Sequence, residues 1–562
     1  MQTQPLVQKQ TAKLAEKADA TIKEQETLAL GRTNYESTWE AIAARIFPTY
    51  VGQFSSQNLS NPTPGTQKTI EMVDSTGANA LIRFAAAMES MLTPRNSKWH
   101  SLIPSDSTLR QNRNVRIWFE KLTNSLFQYR YAPRANFASQ KHEEYMALGS
   151  FGTGSQYIDA LKFYGEKGLR YRNMPLGQIY FKENHQGLID TAYRRFSFTA
   201  RQAVQRFGPN VLPKIIYDDA SKPNTSEKPY FFIHCVKPRD PAEYDGNRLD
   251  IRRFRYDSHY VSVTERYYLS ESGYNTLPYT ISRYVTAPNA IYGSSPAMMA
   301  LPSLRLLNEQ KKVFIKQGHR ISDPVLLGHD DGLMDTVALK PGAFVSGGVN
   351  ADGKLLVQPL PTGNLAMNEK MMEMEREAIN DMFLVTLFQI LVDTPSMTAT
   401  EVVERAREKG ALLSPTMGRQ QSESLGPQIE REIDVMTELG LIEDMPAMLK
   451  EANGAYTVQY DSPLTRVARA EESSGFMQLA DWLSEKAQVM QDPSIMDYLD
   501  FDVAVPAIAE NRGAPPTYIR SDEAVAQKRQ GRAQQQQQQA MVDAAPAASS
   551  TLKTLSSMGQ PA

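Results

Sequence analysis

Five long polar side chains, Arg305, Glu309, Lys312, Lys316 and Arg320, follow one another at intervals of 4, 3, 4 and 4 residues. That spacing puts them on one narrow face of a helix. With Lys311, the segment 296–320 carries five positive charges and one negative, a net +4. A cationic stripe of this kind can either screen the phosphates of a passing polyanion or pair with carboxylates on another helix. The segment 367–389 offers such carboxylates at Glu369, Glu373 and Glu377, within a balance of two positive and five negative charges, a net −3. A charge run is ordinarily just a solvated face. Here the opposite side of the first helix bears Leu304, Leu307, Phe314 and Ile315 with Lys311 in their midst. An apolar face interrupted by a lysine suits a subunit boundary where that lysine meets an acid, so intersubunit pairing ranks ahead of direct DNA contact.

The usual catalytic constellations are missing. A GxxxxGK[ST] phosphate loop is absent, which argues against an ATP-driven motor, and neither HExxH nor a GxSxG elbow occurs. Gly149, Gly152 and Gly154 are spaced GxxGxG, which is not the dinucleotide fingerprint and reads as a flexible helix terminus. The seven histidines are scattered, the closest two being His319 and His329. Asp330 and Asp331 beside His329 have the chemistry to hold a divalent cation, but short acidic pairs in glycine-rich loops are ordinarily solvated. No catalytic residue, metal ligand or cofactor is assigned. A metal-dependent nuclease built on Asp323, Asp330, Asp331 and Asp335 is the alternative enzyme reading, and no spacing compels it. A coiled-coil scaffold is a third reading, opposed by Pro415 and Pro427.

Composition narrows the field. The chain has 562 residues, 41% apolar and 22% charged, as expected of an ordinary globular protein of several lobes. No apolar run approaches the ~20 residues needed to span a bilayer, and the polar N-terminus has no signal-like apolar core. Cys235 is the single cysteine, which excludes an internal disulfide and any cysteine-based zinc site and fits synthesis in a cytoplasm. Lysine plus arginine (61) balances aspartate plus glutamate (63). Tight DNA binding rests on an excess of cations, so DNA as a partner would pass by rather than be gripped.

The elements that must position the two helices read as α+β. Residues 1–30 are a charged helix or tail, and Tyr35–Phe47 is a helix ended by Pro48. Further helices are expected over Asp74–Leu92, Val115–Tyr129 and Ala135–Leu148. Between Gln178 and Val285 the aromatic and β-branched runs 179–181, 193–198, 230–236 and 260–269 predict antiparallel strands, with a short helix capped by Thr199 and stopped by Gly208. The segment 321–366, with seven glycines, five aspartates and two lysines, predicts a small acidic β insert with strands at 325–327, 344–345 and 355–357. In the second helix Met367, Met371, Met374, Ala378 and Val385 share a face expected to be core. A loop over 391–397 leads to a long helix from Thr398 to about Leu441, interrupted at Pro415 and at Gly426-Pro427. A smaller helical region spans 460–530, and the glutamine-rich end is low-complexity.

Several segments, in this order along the chain, resemble one family: STWEAIAARIFP (37–48), DSTGANALIRFAAAMESMLTPRNSKWHSL (74–102), MTATEVVERAREKGALLSPTMGRQQSESLGPQIEREIDVM (397–436), SPLTRVARAEE (462–472) and IRSDEAVAQKRQ (519–530). The chain is similar to the portal proteins, or head-to-tail connectors, of short-tailed bacteriophages. The resemblance implies a homo-oligomeric ring, usually of twelve copies, at one capsid vertex of the virion. Double-stranded DNA passes through such a ring; the terminase large subunit docks on it first and adaptor and tail proteins later, with major capsid and scaffolding proteins as neighbours and no membrane involved. It also implies an N-terminal tail (1–30), a wing (31–295, joined by the long helix 398–459), stem helices (296–320 and 367–389), a clip (321–366), a tunnel loop (390–397), a crown (460–530) and a C-terminal tail (531–562). On that scheme Val392, Asp393, Thr394, Pro395 and Ser396 form the tunnel loop, and Asp330, Asp331, Asp335, Asp352 and Lys354 are the clip residues that meet terminase or adaptor.

Overall fold

A computed structural model describes residues 12–54, 71–163, 165–328, 349, 351–360, 365–386, 415–452, 454–461, 463–490, 493–511, 520 and 524–536. The chain divides into two compact units, residues 1–97 with 128–441 and residues 98–127 with 442–562.

The first unit begins with α1 (Ala12–Ile46) and α2 (Thr76–Leu92). The sequence predicts a charged helix or tail over 1–30 and a helix from Tyr35; the structure joins the two in one helix of 35 residues. Its polar N-terminal half is held by a sparse stripe, Ala18, Ile22 and Gln25, buried against a sheet. Arg32 is fully buried in its middle, donating to the carbonyls of Leu176 and Ile179 at 2.9 Å and lying 3.9 Å over the Tyr180 ring. The chain then passes through β1 (His100–Pro104), α3 (Ser107–Gln111) and α4 (Arg113–Arg130), and returns in α5 (Phe137–Phe151).

Two antiparallel sheets follow. β2 (Thr153–Phe163), β3 (Glu166–Asn173) and β9 (Tyr279–Arg283) form one, ordered β3-β2-β9. The other is a five-stranded meander of β4 (Ile179–Glu183), β5 (Ile189–Thr199), β6 (Pro229–Pro238), β7 (Tyr256–Ser262) and β8 (Tyr267–Tyr274). Alternation sorts its two faces. Tyr193, Ile233, Cys235 and Val261 pack under α1, while Phe196, Phe232 and Tyr230 pack with helices α6 (Ala200–Phe207) and α7 (Lys214–Ala220). Thr199 caps α6 through a complete capping box, and Gly208 ends it at φ +82°. The single run expected over 260–269 is instead two strands, because Arg266 adopts φ +47° in a tight turn.

The sequence missed β2 and β3, and it misread the glycines before them. Gly149, Gly152 and Gly154 do not loosen the chain. A Cβ on Gly149 would come within 2.7 Å of Phe84, one on Gly152 within 2.3 Å of the Gly293 carbonyl, and one on Gly154 within 2.7 Å of Glu144. They are sites of close packing, and only Gly152 (φ +74°) also serves a left-handed helix cap.

Beyond β9 run α8 (Pro296–Ser322), β10 (Leu326–Gly328), β11 (Val357–Pro359) and α9 (Leu365–Met382). The interruption expected at Gly426-Pro427 is a π-helical turn, Gln421–Leu425, leading into the helix Gly426–Glu438. Pro427 cannot donate to the preceding turn, and widening that turn accommodates its ring.

In the second unit β1 pairs antiparallel with β12 (Tyr456–Tyr460), His100 opposite Tyr460. Trp118 Nε1 donates to the Glu443 carbonyl at 3.2 Å, and Lys121 Nζ reaches the Glu443 carboxylate at 2.9 Å. Helices Pro463–Met490 and Phe501–Asn511 complete it, with a helix over 524–536 that extends into the glutamine run. The unit division cuts across the lobe expected at 31–295, since the ladder joining β1 to β12 links segments some 350 residues apart, a pairing that local periodicity does not encode.

Candidate functional site

The two helices α8 and α9 pack against each other, and the strands between them, β10 and β11, pair antiparallel with Leu326 opposite Pro359. Helix α8 starts where Ser295 Oγ accepts from the Met298 N–H at 3.0 Å, with Pro296 in the first turn. Ser295 Oγ also donates to the Ser150 carbonyl, so this start is fixed to the end of α5. Asn308, four residues past the buried Leu304, accepts from the N–H groups of Val73 and Asp74 at 2.9 Å and donates to the Leu304 carbonyl.

Asp74 is the root of the arm. Its carboxylate takes Arg376 of α9 at 3.0 Å and lies 3.9 Å from Lys311 of α8, while Thr76 donates to it through both N–H and hydroxyl. Burial pushes its pKa up, but the Thr76 bonds and Arg376 outweigh that and hold it below the usual carboxylate range. Lys311 therefore has its acid within its own chain, on the loop before α2, and not on Glu369, Glu373 or Glu377 of the same arm. Local spacing does not disclose this pairing, because Asp74 lies more than 200 positions away and stands in a polar stretch like many others.

The cationic stripe is a solvent-facing row. Arg305, Glu309, Lys316 and Arg320 are exposed, and Lys312 pairs with Glu309 at 2.8 Å. Of the apolar residues expected on the other side, Leu304 and Leu307 are buried, Phe314 is half-buried and Ile315 is exposed. Glu369, Glu373 and Glu377 are also exposed.

The methionine stripe requires correction. Met367, Met371 and Met374 are exposed, Met367 by 66%, and of the five positions only Val385 is buried. The buried face of α9 runs instead through Met372 and Ile379 to Phe383. Arg376 must point to Asp74, and residues 372, 376, 379 and 383 share one face, so that bond and the ring contact of Phe383 with Phe84 rotate the methionines outward. The regular helix also ends at Met382, short of the expected 389, as Leu384 turns at φ +58°.

Asp352 and Lys354 lie exposed on the turn before β11, where Gly353 takes φ +78°. Asp330, Asp331, Asp335 and the residues 392–396 lie outside the described residues. Among the described residues no group of three or more histidine, cysteine, aspartate or glutamate side chains is arranged to hold a metal, and no helix is long and apolar enough to cross a membrane.

The arrangement is a helix–insert–helix arm rooted in an α+β body, charged and apolar on its outer side. The sequence profile of bacteriophage head to tail connecting proteins matches residues 18–519. The chain belongs to that family. The connector is 28% identical to the portal protein of Salmonella phage epsilon15 over 540 residues, covering 93% of both chains. It is 26% identical to the probable portal protein of Bordetella phage BPP-1 over 522 residues, covering 90% of this chain and 89% of that one. The match takes in residues of both units and of the arm, so the resemblance seen in short segments extends over about nine-tenths of the chain.

Proposed function

We propose that copies of this connector close into a ring, twelve in number, at one vertex of the phage capsid, and that the ring is the channel through which double-stranded DNA is packaged and later ejected. The terminase large subunit docks on it during packaging, and adaptor and tail proteins replace it; major capsid and scaffolding proteins surround it. The insert between the helices, with Asp330, Asp331, Asp335, Asp352 and Lys354, is the docking end, and residues 390–397 form the loop nearest the DNA. The chain is made in the host cytoplasm and ends in the virion. In this scheme it carries no catalytic group; packaging energy comes from a separate ATPase.

The outer surface of the arm is the observation that carries the reading. Val313, Ile315 and Ile321 of α8 and Met367, Met371 and Met374 of α9 are exposed large apolar residues interleaved with Arg305, Lys316, Arg320 and the glutamates 369, 373 and 377. Clustered exposed apolar side chains mark interaction surfaces, and a helix pair carrying opposite net charges on its two members is self-complementary around an axis. A ring multiplies each exposed cation into a band that biases a passing polyanion without binding it tightly. Light scattering and negative-stain imaging of the purified chain test this. Rings of about twelve subunits with a central hole are expected; a monomer at every salt and protein concentration, even with capsid and scaffolding proteins present, would remove the reading.

A further inference from the structure

The two sheets of the first unit face each other across a cavity of about 460 Å³ that the ring reading does not use. Strand register builds its walls. On the five-stranded sheet Arg194, His234 and Tyr260 stand opposite one another across β5, β6 and β7. On the three-stranded sheet Arg172, Tyr157 and Tyr279 form the matching row across β3, β2 and β9. Arg170 and, from α6, Arg206 complete the lining, with Asp159 as its one carboxylate.

Charge in this cavity is unbalanced. Among the described residues no carboxylate lies within 4.0 Å of Arg170, Arg172, Arg194 or Arg206, and the Arg172 side chain makes no hydrogen bond to a described residue. Asp159 is turned to other partners: it accepts from Tyr157 at 3.1 Å and lies 3.9 Å from Arg431, outside the lining. Arg194 donates to the Gln178 amide oxygen at 3.3 Å and lies 4.6 Å over the Phe196 ring, Arg206 lies 5.7 Å over the Tyr260 ring, and Arg170 donates to the Arg134 carbonyl at 2.7 Å. Although Arg172 is exposed as a residue, partial desolvation and then the charge of Arg194 lower its pKa. His234 adds no charge, since burial and then Arg194 push its pKa well below the usual value; its ring stacks on Tyr260 at 4.1 Å and is anchored by Tyr279 and Ser258.

Four guanidiniums without a carboxylate within 4.0 Å among the described residues, lining one pocket with tyrosine and histidine rings, recognise a particular chemistry. Guanidinium forks match phosphate oxygens bidentately, aromatic faces accept a planar ring, and the volume falls in the range of small-ligand sites. We propose that this cavity binds a phosphate-bearing small molecule of nucleotide size, its phosphate held by Arg172 and Arg194 and its ring against the Tyr260–Tyr279 wall.

Isothermal titration of the full chain with inorganic phosphate, pyrophosphate and dAMP, against acetate as control, tests the assignment. One saturable site per chain for at least one phosphate compound, and none for acetate, is expected. Tighter binding of dAMP than of pyrophosphate means that the aromatic wall reads a base; equal binding means that phosphate alone is recognised; either supports the site. Arg172→Ala and Arg194→Ala should each weaken binding at least tenfold, about 1.4 kcal/mol, with unchanged circular dichroism. Arg172→Ala, at the rim, keeps the test valid if the other variant misfolds. No saturable binding, or binding indifferent to both substitutions, would overturn the proposal. So would an Arg172→Glu chain that changes particle mass while the parent binds no phosphate compound, because an acidic segment of another chain would then fill the cavity. None of these readouts depends on DNA passage, so failure here leaves the ring reading standing.

Discussion

The helix Gly426–Glu438 and the helix α9 carry the same net charge, −3, from one positive and four negative residues in the first and two positive and five negative in the second. Their fates are opposite. In the first, Arg431 and Glu432 are buried, and each has partners from the surrounding chain: Arg130 Nε lies 3.1 Å from Glu432, Tyr171 donates to it at 2.7 Å, and Arg431 donates to the Ile158 carbonyl at 3.3 Å. In α9 Glu369, Glu373 and Glu377 and three methionines face outward, while Arg376 is tied inward to Asp74. Charge therefore does not decide which helix is buried; what decides it is whether the same chain brings partners to it. Where it does, the helix is a finished core element; where it does not, the side chains stay exposed, and the proposed ring would cover them.

The largest effect on the subunit should follow from breaking the finished helix. Glu432→Ala leaves the Arg130 guanidinium buried without its carboxylate and removes the acceptor of Tyr171, and such one-sided loss costs about 3–5 kcal/mol. Urea denaturation should show the midpoint falling accordingly, whereas a loss under 1 kcal/mol would mean that water or a rearranged partner replaces the acid.

How far the sequence discloses this division differs between the two regions. The arm is legible because its signals are local: helical periodicity, a glycine-rich insert and a second periodic run all lie within 100 residues. The strands from Ile179 onward are legible for the same reason, through alternating aromatic and β-branched residues. β2 is not, since TGSQYIDALKF alternates weakly and follows glycines that suggest a loop. The network around Glu432 was hidden because Arg130, Tyr171 and Glu432 come from three remote segments, and an Ile-Glu-Arg-Glu-Ile run reads equally well as a surface. The methionine face failed for a related reason. Periodicity identifies a stripe, but which of two neighbouring stripes turns inward was set by Asp74 and Phe84, outside the helix altogether. The cavity arginines are spread over two strands and a helix, and only the fold brings them together.

The root of the arm should respond at an intermediate level. Asp74→Asn keeps the shape but removes the charge shared by Arg376 and Lys311, worth about 1–3 kcal/mol for a hydrogen-bonded charge with little exposure. Because the folded-state pKa of Asp74 is depressed, its contribution is complete above the unfolded pKa near 4 and is lost as pH falls through the lower folded value. The stability difference between parent and variant, followed from pH 7 down to pH 3, should accordingly shrink only at the acid end. A difference that is constant over the whole range would assign the effect to packing and not to the charge.

The smallest effect on the subunit is expected where the comparison makes its sharpest claim. Replacing Met367, Met371 and Met374 together by glutamine alters exposed positions of similar length and helix propensity, so the unfolding midpoint of the separated subunit should move by no more than about 0.5 kcal/mol for each. The same substitution replaces apolar contacts by amides at a surface that, in the ring, has to be desolvated. Burial of apolar area is worth roughly 25 cal/mol per Å², and in a closed ring every copy loses it at the same face, so a change invisible in one subunit accumulates around the assembly. Sedimentation at matched concentration should then show the variant shifted from rings towards free subunits while its circular dichroism is unchanged. Rings of normal yield would place the methionines outside the subunit boundary and leave the charged residues of α8 and α9 as its only recognisable elements, whereas a destabilised subunit would mean that these methionines support the fold of the arm itself.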